Sequence, residues 1–196
     1  MEEREWPLLH AEDAAELRRH FPALVARTRD SLYATLVRIV RNESDAEDLL
    51  QDSYLRALER IGSYRGEGEP EAWLRRIAVR LALNHLRARK LRRWLPLGPK
   101  SDDGEPELEA ADVSRPGPDR NAATAQRRRR LESLLLGFPA KAQAAFALRQ
   151  LEDRPYDEIA ALLGCSEATA RSLVSRTSSR LEREILQRGW QDDPET

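Results

Sequence analysis

Apolar positions recur along this chain three or four residues apart, and no stretch alternates as a half-buried strand would. The spacing predicts a helix from Phe21 to Arg41, with Leu24, Val25, Leu32, Leu36, Ile39 and Val40 on or near its buried side and Asn42 marking its end. Ser44 followed by Glu47 is a capping-box pattern and predicts the start of the next helix. On that helix Leu50, Tyr54, Ala57, Leu58 and Ile61 fall on one apolar face. The glycine-rich stretch from Gly62 to Gly68 interrupts it. Pro70 stands where a first helical turn tolerates proline, so a third helix is predicted to about Arg93, burying Leu74, Ile77, Ala78, Leu81 and Leu86.

Residues 94–126 differ in kind, with five prolines, seven acids, three bases and few large apolar residues beyond their start. Such a composition predicts a flexible acidic linker, disordered on its own. Fully extended, it spans roughly 110 Å. A second helical unit is predicted from 127 to 187. Leu131, Leu134, Leu135 and Phe138 belong to its first helix, and Pro139 starts the second, with Ala142, Ala145, Phe146 and Leu148 inward. Pro155 starts the third, which ends at Gly164, and Ser166 caps the fourth, which runs to about Gln187. The expected fold is therefore all-α, with two small helical domains (20–93 and 127–187), an N-terminal extension (1–19), the linker, and a tail (188–196).

Composition narrows the class. Of 196 residues, 40% are hydrophobic and 34% charged, which suits a helical protein with modest cores. The single cysteine, Cys165, excludes an internal disulfide and fits a reducing compartment. No apolar run reaches the roughly 20 residues of a membrane helix, and the acidic N-terminus lacks the order of a signal peptide. A cytoplasmic protein without membrane insertion is expected. His10, His20 and His85 are scattered, so no metal site or cofactor is expected and no catalytic constellation is found.

The net charge of −1 hides a strong local asymmetry. Residues 43–59 carry six acids and one base, whereas 74–93 carry eight bases and no acid. On the acidic helix, Asp48, Gln51 and Asp52 lie within one turn, opposite Leu50 and Leu58. Such a run is usually just a solvated face. On the basic helix, Arg76, Arg80, Asn84 and Arg87 step by four, four and three into one polar stripe. Guanidinium groups and an amide suit phosphates and bases. A solvated face is the alternative, but like charges at helical spacing repel. Two adjacent helices of opposite charge call for two different partners. Near the C-terminus, YDEIAALLGCSEATARSLVSRTSSRLER has helix-turn-helix spacing. Ile159, Leu163, Ala170 and Val174 face inward, Gly164 supplies the turn, and Thr169, Arg171, Ser172, Ser175, Arg176 and Ser179 face outward. An ordinary helical hairpin with a solvated Arg/Ser face is the bland counterpart.

Three segments together, DAEDLLQDSYLRAL, SYRGEGEPEAWLRRIAVRLALNHLRARK and FPAKAQAAFALRQLEDRPYDEIAALLGCSEATARSLVSRTSSRLE, resemble the extracytoplasmic-function (ECF) group of the sigma-70 family of bacterial RNA polymerase sigma subunits. The resemblance covers about residues 20–93 and 128–187. It implies that the first domain is a sigma region 2-like bundle and the second a sigma region 4-like domain with a helix-turn-helix. It implies partners as well: core RNA polymerase (its β′ coiled coil and β flap), promoter DNA, and a separate anti-sigma factor. Asp48, Gln51 and Asp52 would dock on the β′ coiled coil. Tyr64, Arg65, Gly66 and Trp73 would lie in or beside the loop that captures a flipped −10 base, with Tyr64 as a stacking ring; Trp73 is equally well placed to be core. Arg76, Arg80, Asn84 and Arg87 would hold the opened strand. Thr169, Arg171, Ser172, Ser175 and Arg176 would read the −35 element as duplex. The acidic linker would run through the polymerase interior.

Three positions depart from the family pattern. Family members commonly carry asparagine where Arg80 stands and aspartate where Asn84 stands, so strand binding is better supported than any one −10 letter. Leu173 replaces a common arginine, and either packs on the domain or touches a thymine methyl. The function expected is that of a non-catalytic, dissociable sigma subunit that directs polymerase to promoters and helps open the −10 region. A helix-turn-helix regulator acting without polymerase would leave the first domain idle. A polymerase-binding antagonist would leave the arginine stripe unexplained.

Overall fold

The computed structural model describes residues 14–64, 68–94, 130–131 and 133–187. Its helices are α1 (Ala14–Val40), α2 (Glu43–Glu59), α3 (Pro70–Trp94), α4 (Ala140–Gln150), α5 (Tyr156–Leu163) and α6 (Glu167–Gln187), with a 3-10 turn at Ile61–Ser63. No strand occurs among the described residues. Residues 95–126 of the expected linker, Arg65 and Gly66 lie outside them.

α1 begins seven residues before the expected start. Leu17, Phe21 and Leu24 are all buried on one face, and Pro22 sits inside the helix. Proline removes one backbone donor, and burial of Leu17 offsets the lost rung. At its C-terminal end Arg41 adopts a left-handed φ of 55°, and this turn leaves Asn42 extended (φ −150°, ψ 125°). The Asn42 side chain then accepts a 2.8 Å hydrogen bond from the Asp45 backbone N–H. The cap of α2 is thus Asn42, not Ser44 as the capping-box pattern suggested. Asparagine is among the best N-caps, and the α1–α2 corner has already placed it in the required geometry.

α1, α2 and α3 pack pairwise, as do α4, α5 and α6. The first unit buries Leu24, Leu32, Leu36, Ile39 and Val40 from α1 and Ala46, Leu49, Leu50 and Ala57 from α2. One polar residue buried inside it, Thr28, is satisfied. Thr28 Oγ1 donates to the Leu24 carbonyl at 2.7 Å and lies 3.2 Å from the Tyr54 hydroxyl. In the second unit Gly164 takes the left-handed conformation (φ 59°, ψ 57°) that ends α5. Ser166 Oγ accepts from the Thr169 N–H at 3.2 Å, capping α6 as expected.

The two units also pack on each other, which the sequence pattern did not announce. α4 lies against α1 and α3, and α5 lies against α3. α3 therefore buries more than one stripe: Leu74, Ala78, Val79, Ala82, Leu83 and Leu86. α4 is buried nearly all round, through Ala142, Gln143, Ala144, Ala145, Ala147 and Leu148. Its alanines leave room for helices on two sides. Gln143 satisfies both ends of its amide, donating to the Phe138 carbonyl at 2.9 Å and accepting from Arg41 at 3.2 Å.

Candidate nucleic-acid and protein interfaces

The first surface lies on α2. Burial of Ala46, Leu49, Leu50, Ser53 and Ala57 fixes the phase of the helix and turns Asp48, Gln51 and Asp52 to solvent. Leu55 continues the same face at 60% exposure. The sequence reading passed over it; its signal was a leucine three and four residues beyond Asp52 and Gln51, outside the apolar set. An exposed leucine beside carboxylates and an amide is suited to a protein partner with apolar and basic groups.

The second surface lies on α3. Arg76, Arg80, Asn84 and Arg87 are all exposed, in one stripe. Arg87 donates to the Asn84 side-chain Oδ1 at 3.1 Å, so the two side chains are mutually oriented. Arg75, next to the stripe in sequence, points elsewhere. Its pKa is lowered by burial and then by the charge of Arg154, against the pull of Glu152, Glu158 and Glu71. His85, on a third side of α3, meets Asp45 at 3.0 Å and ties α3 to the start of α2.

The loop before α3 differs from expectation. Tyr64 is only 5% exposed, and its hydroxyl donates to the Gly68 carbonyl. Its ring centre lies 5.4 Å from that of Trp73, which is half-buried against the core. In this conformation Tyr64 anchors the loop from within and presents no free face for stacking. Trp73 takes the core alternative. Gly68 holds a positive φ of 81°, which glycine adopts without strain.

The third surface lies on α6. Ala170, Val174, Thr177 and Leu181 are buried. Thr169, Arg171, Ser175, Arg176 and Ser179 are exposed, and Ser172 is half-buried beside them. Leu173 packs against both apolar clusters, which decides for packing over an outward methyl contact. Arg171 pairs with Glu167 at 2.7 Å and lies over the ring of Tyr156, 4.4 Å from its centre. Arg149 approaches the same ring at 5.2 Å.

Between the two units sits a charged seam. Glu152, in the α4–α5 loop, bonds Arg154 Nε at 2.9 Å and faces Arg38 of α1 at 3.6 Å. Arg154 also reaches Glu158 at 2.8 Å. Burial alone would lower the pKa of Arg154, but the hydrogen bonds and the charges of Glu152 and Glu158 together raise it. Among the described residues no group of three or more His, Cys, Asp or Glu could hold a metal ion, and no helix is long and apolar enough to cross a membrane.

Residues 24–92 match the family model of Sigma-70 region 2, and residues 128–181 that of Sigma-70, region 4. The chain is 30% identical over 173 residues to the ECF RNA polymerase sigma-E factor of Haemophilus influenzae, covering 86% of this chain and 88% of that one. It is 27% identical over 177 residues to the RNA polymerase sigma-H factor of Pseudomonas aeruginosa, covering 86% and 87%. In fold it is similar to CnrH, solved in complex with the cytosolic domain of CnrY (TM-score 0.58, 21% identity, 89% of this chain and 93% of that one). It is also similar to the sigma factor RpoE of Bartonella quintana, solved with the anti-sigma factor NepR (TM-score 0.56, 22% identity, 85% and 96%).

Proposed function

The chain belongs to the sigma-70 family, as an ECF sigma factor, and on that premise we propose how its three surfaces divide the work of promoter recognition. The acidic face of α2, through Asp48, Gln51, Asp52 and the neighbouring Leu55, docks on core RNA polymerase. The α3 stripe of Arg76, Arg80, Asn84 and Arg87 binds the opened −10 strand. The outward face of α6, with Thr169, Arg171, Ser172, Ser175 and Arg176, reads the −35 element as duplex. The chain supplies binding energy and no chemistry. It offsets part of the few kcal/mol that unpairing a base costs.

The observation that carries this reading is the α3 stripe: four exposed side chains, three cationic and one amide, in an unbroken row. A helix-turn-helix regulator has no use for it. Control by a separate anti-sigma protein fits the similar fold of RpoE, solved with the anti-sigma factor NepR.

The test is to combine the protein with core polymerase and promoter fragments and to score binding and strand opening. Opening that needs both polymerase and this chain is expected. Operator binding without polymerase would move the chain to the regulator class, and polymerase binding without opening to the antagonist class.

A further inference from the structure

The polar stripe of α3 is nearly devoid of hydrogen-bond acceptors. Arg76, Arg80 and Arg87 carry guanidinium groups, which donate hydrogen bonds and accept none. No acid stands anywhere between residues 74 and 93. The amide oxygen of Asn84 is therefore the one side-chain acceptor in the row.

That acceptor is already engaged. Arg87 Nη1 donates to Asn84 Oδ1 at 3.1 Å. Chemistry fixes which way the amide turns. A guanidinium has nothing to accept with, so only the oxygen of the amide can face it. The amide nitrogen then points away, with two N–H donors on an exposed side chain. Arg76 and Arg80 are exposed as well, and neither pairs with an acid among the described residues. The stripe thus offers a partner donors only.

A surface of donors discriminates among bases. On the edge that proteins read most readily, guanine carries two acceptors, O6 and N7, and thymine carries O4. Adenine and cytosine present amino groups there, N6 and N4, whose hydrogens need an acceptor. Against this stripe those hydrogens go unpaired, and an unmade hydrogen bond in a desolvated contact is costly. Asparagine reads adenine by giving to N7 and accepting from N6. Asn84 has surrendered the accepting half of that exchange to Arg87. Arg80 cannot accept at all, but its fork matches guanine O6 and N7.

We propose that Arg80 and Asn84 make the α3 stripe a reader of keto bases, with Arg80 contacting guanine through O6 and N7. Arg87 is a positioning residue that holds the Asn84 amide with its donors outward. This inference rests on the reading of α3 as the −10 surface and names the base chemistry that the surface accepts.

The test combines the full chain with core RNA polymerase and a pool of pre-opened duplexes whose displaced strand is randomised. Bound molecules are sequenced. One position enriched in guanine over adenine by about tenfold or more is expected, on the scale of one bidentate contact. Arg80→Asn should move that preference toward adenine, because an amide both gives and accepts. Replacing N7 of the enriched guanine by carbon should weaken binding about tenfold for wild type and leave Arg80→Ala unaffected. Arg87→Ala should admit adenine or cytosine at a second position. Arg87→Lys, which keeps a donor beside Oδ1, should exclude them again.

A wild-type pool without keto enrichment overturns the proposal, as does an Arg80→Asn pool that matches wild type. If Arg87→Ala keeps the wild-type preference, or Arg87→Lys fails to restore it, Arg87 positions nothing. Both residues are exposed, and circular dichroism checks that each variant keeps its helix content. A holoenzyme that holds pre-opened DNA but selects no keto base sinks this inference and leaves the sigma reading standing. A chain that forms no holoenzyme takes both down.

Discussion

The guanidinium carbon of Arg171 lies 4.4 Å from the ring centre of Tyr156. The first residue of α5 thus steadies an arginine on the outward face of α6, and Glu167 pairs with it at 2.7 Å from one turn earlier. An arginine held over an aromatic ring loses less freedom when it meets a phosphate or a base.

Tyr156→Leu keeps an apolar side chain in place and removes the ring. Exposed cation–π contacts are worth about 0.5–1 kcal/mol, so affinity for a −35 duplex should fall by roughly two- to fivefold. Arg171→Ala should cost about tenfold or more, on the scale of a lost base contact. Fluorescence anisotropy with holoenzyme and labelled duplex measures both. Equal affinities for Tyr156→Leu and wild type would show that the stack positions nothing.

Leu173→Arg should destabilise the chain by about 1–3 kcal/mol, because it places a charge where a leucine packs against both apolar clusters. Thermal unfolding reads this directly. A variant of unchanged stability but altered promoter preference would instead restore the thymine-methyl contact.

Gln51→Ala together with Asp52→Ala should abolish binding to core polymerase, and Leu55→Ala should weaken it. All three residues are exposed. Stability should therefore stay within about 0.5 kcal/mol of wild type. Pull-down with core polymerase alongside a thermal melt separates the two effects. A lost fold in the double variant would mean that this face is internal.

Arg80→Ala should reduce strand opening more than duplex binding at the −35 element. Loss of one phosphate contact should also lower the salt slope of promoter binding by about 1. Opening can be followed by permanganate reactivity of unpaired thymines over a salt series. An unchanged slope with unchanged opening would remove Arg80 from the interface.

Asn42→Ala should cost about 1 kcal/mol, since it removes the observed cap of α2. Ser44→Ala should cost little, because Ser44 is an exposed residue inside the helix. Denaturant midpoints for the two variants decide which residue caps.

Much of the candidate interface was legible in the sequence because it is a matter of helical phase. Asp48, Gln51 and Asp52 face outward since Leu49, Leu50, Ser53 and Ala57 face inward, and Arg76, Arg80, Asn84 and Arg87 share one exposed side for the same reason. Gly164 and Ser166 marked the helix-turn-helix corner because the turn chemistry is local. Tyr64 was misplaced. A tyrosine beside glycines carries no periodic signal, and only the packing of Trp73 and the reach of the Gly68 carbonyl draw its ring inside. Leu55 was passed over because a lone exposed leucine is ordinary until its neighbours on the surface are known.

The sequence by itself determined the helices, their outward faces, the reader motif and the family. Each rests on spacing within a few residues, and spacing fixes which side chains share a side. The tertiary structure alone decided that α3 is covered on two sides, that Arg75 leaves the stripe its neighbour Arg76 joins, and that Glu152 meets Arg38. Those pairings join residues far apart in the chain. A helix of period 3.6 has one phase but several neighbours, and which neighbour each side meets is settled only when the second domain packs against the first.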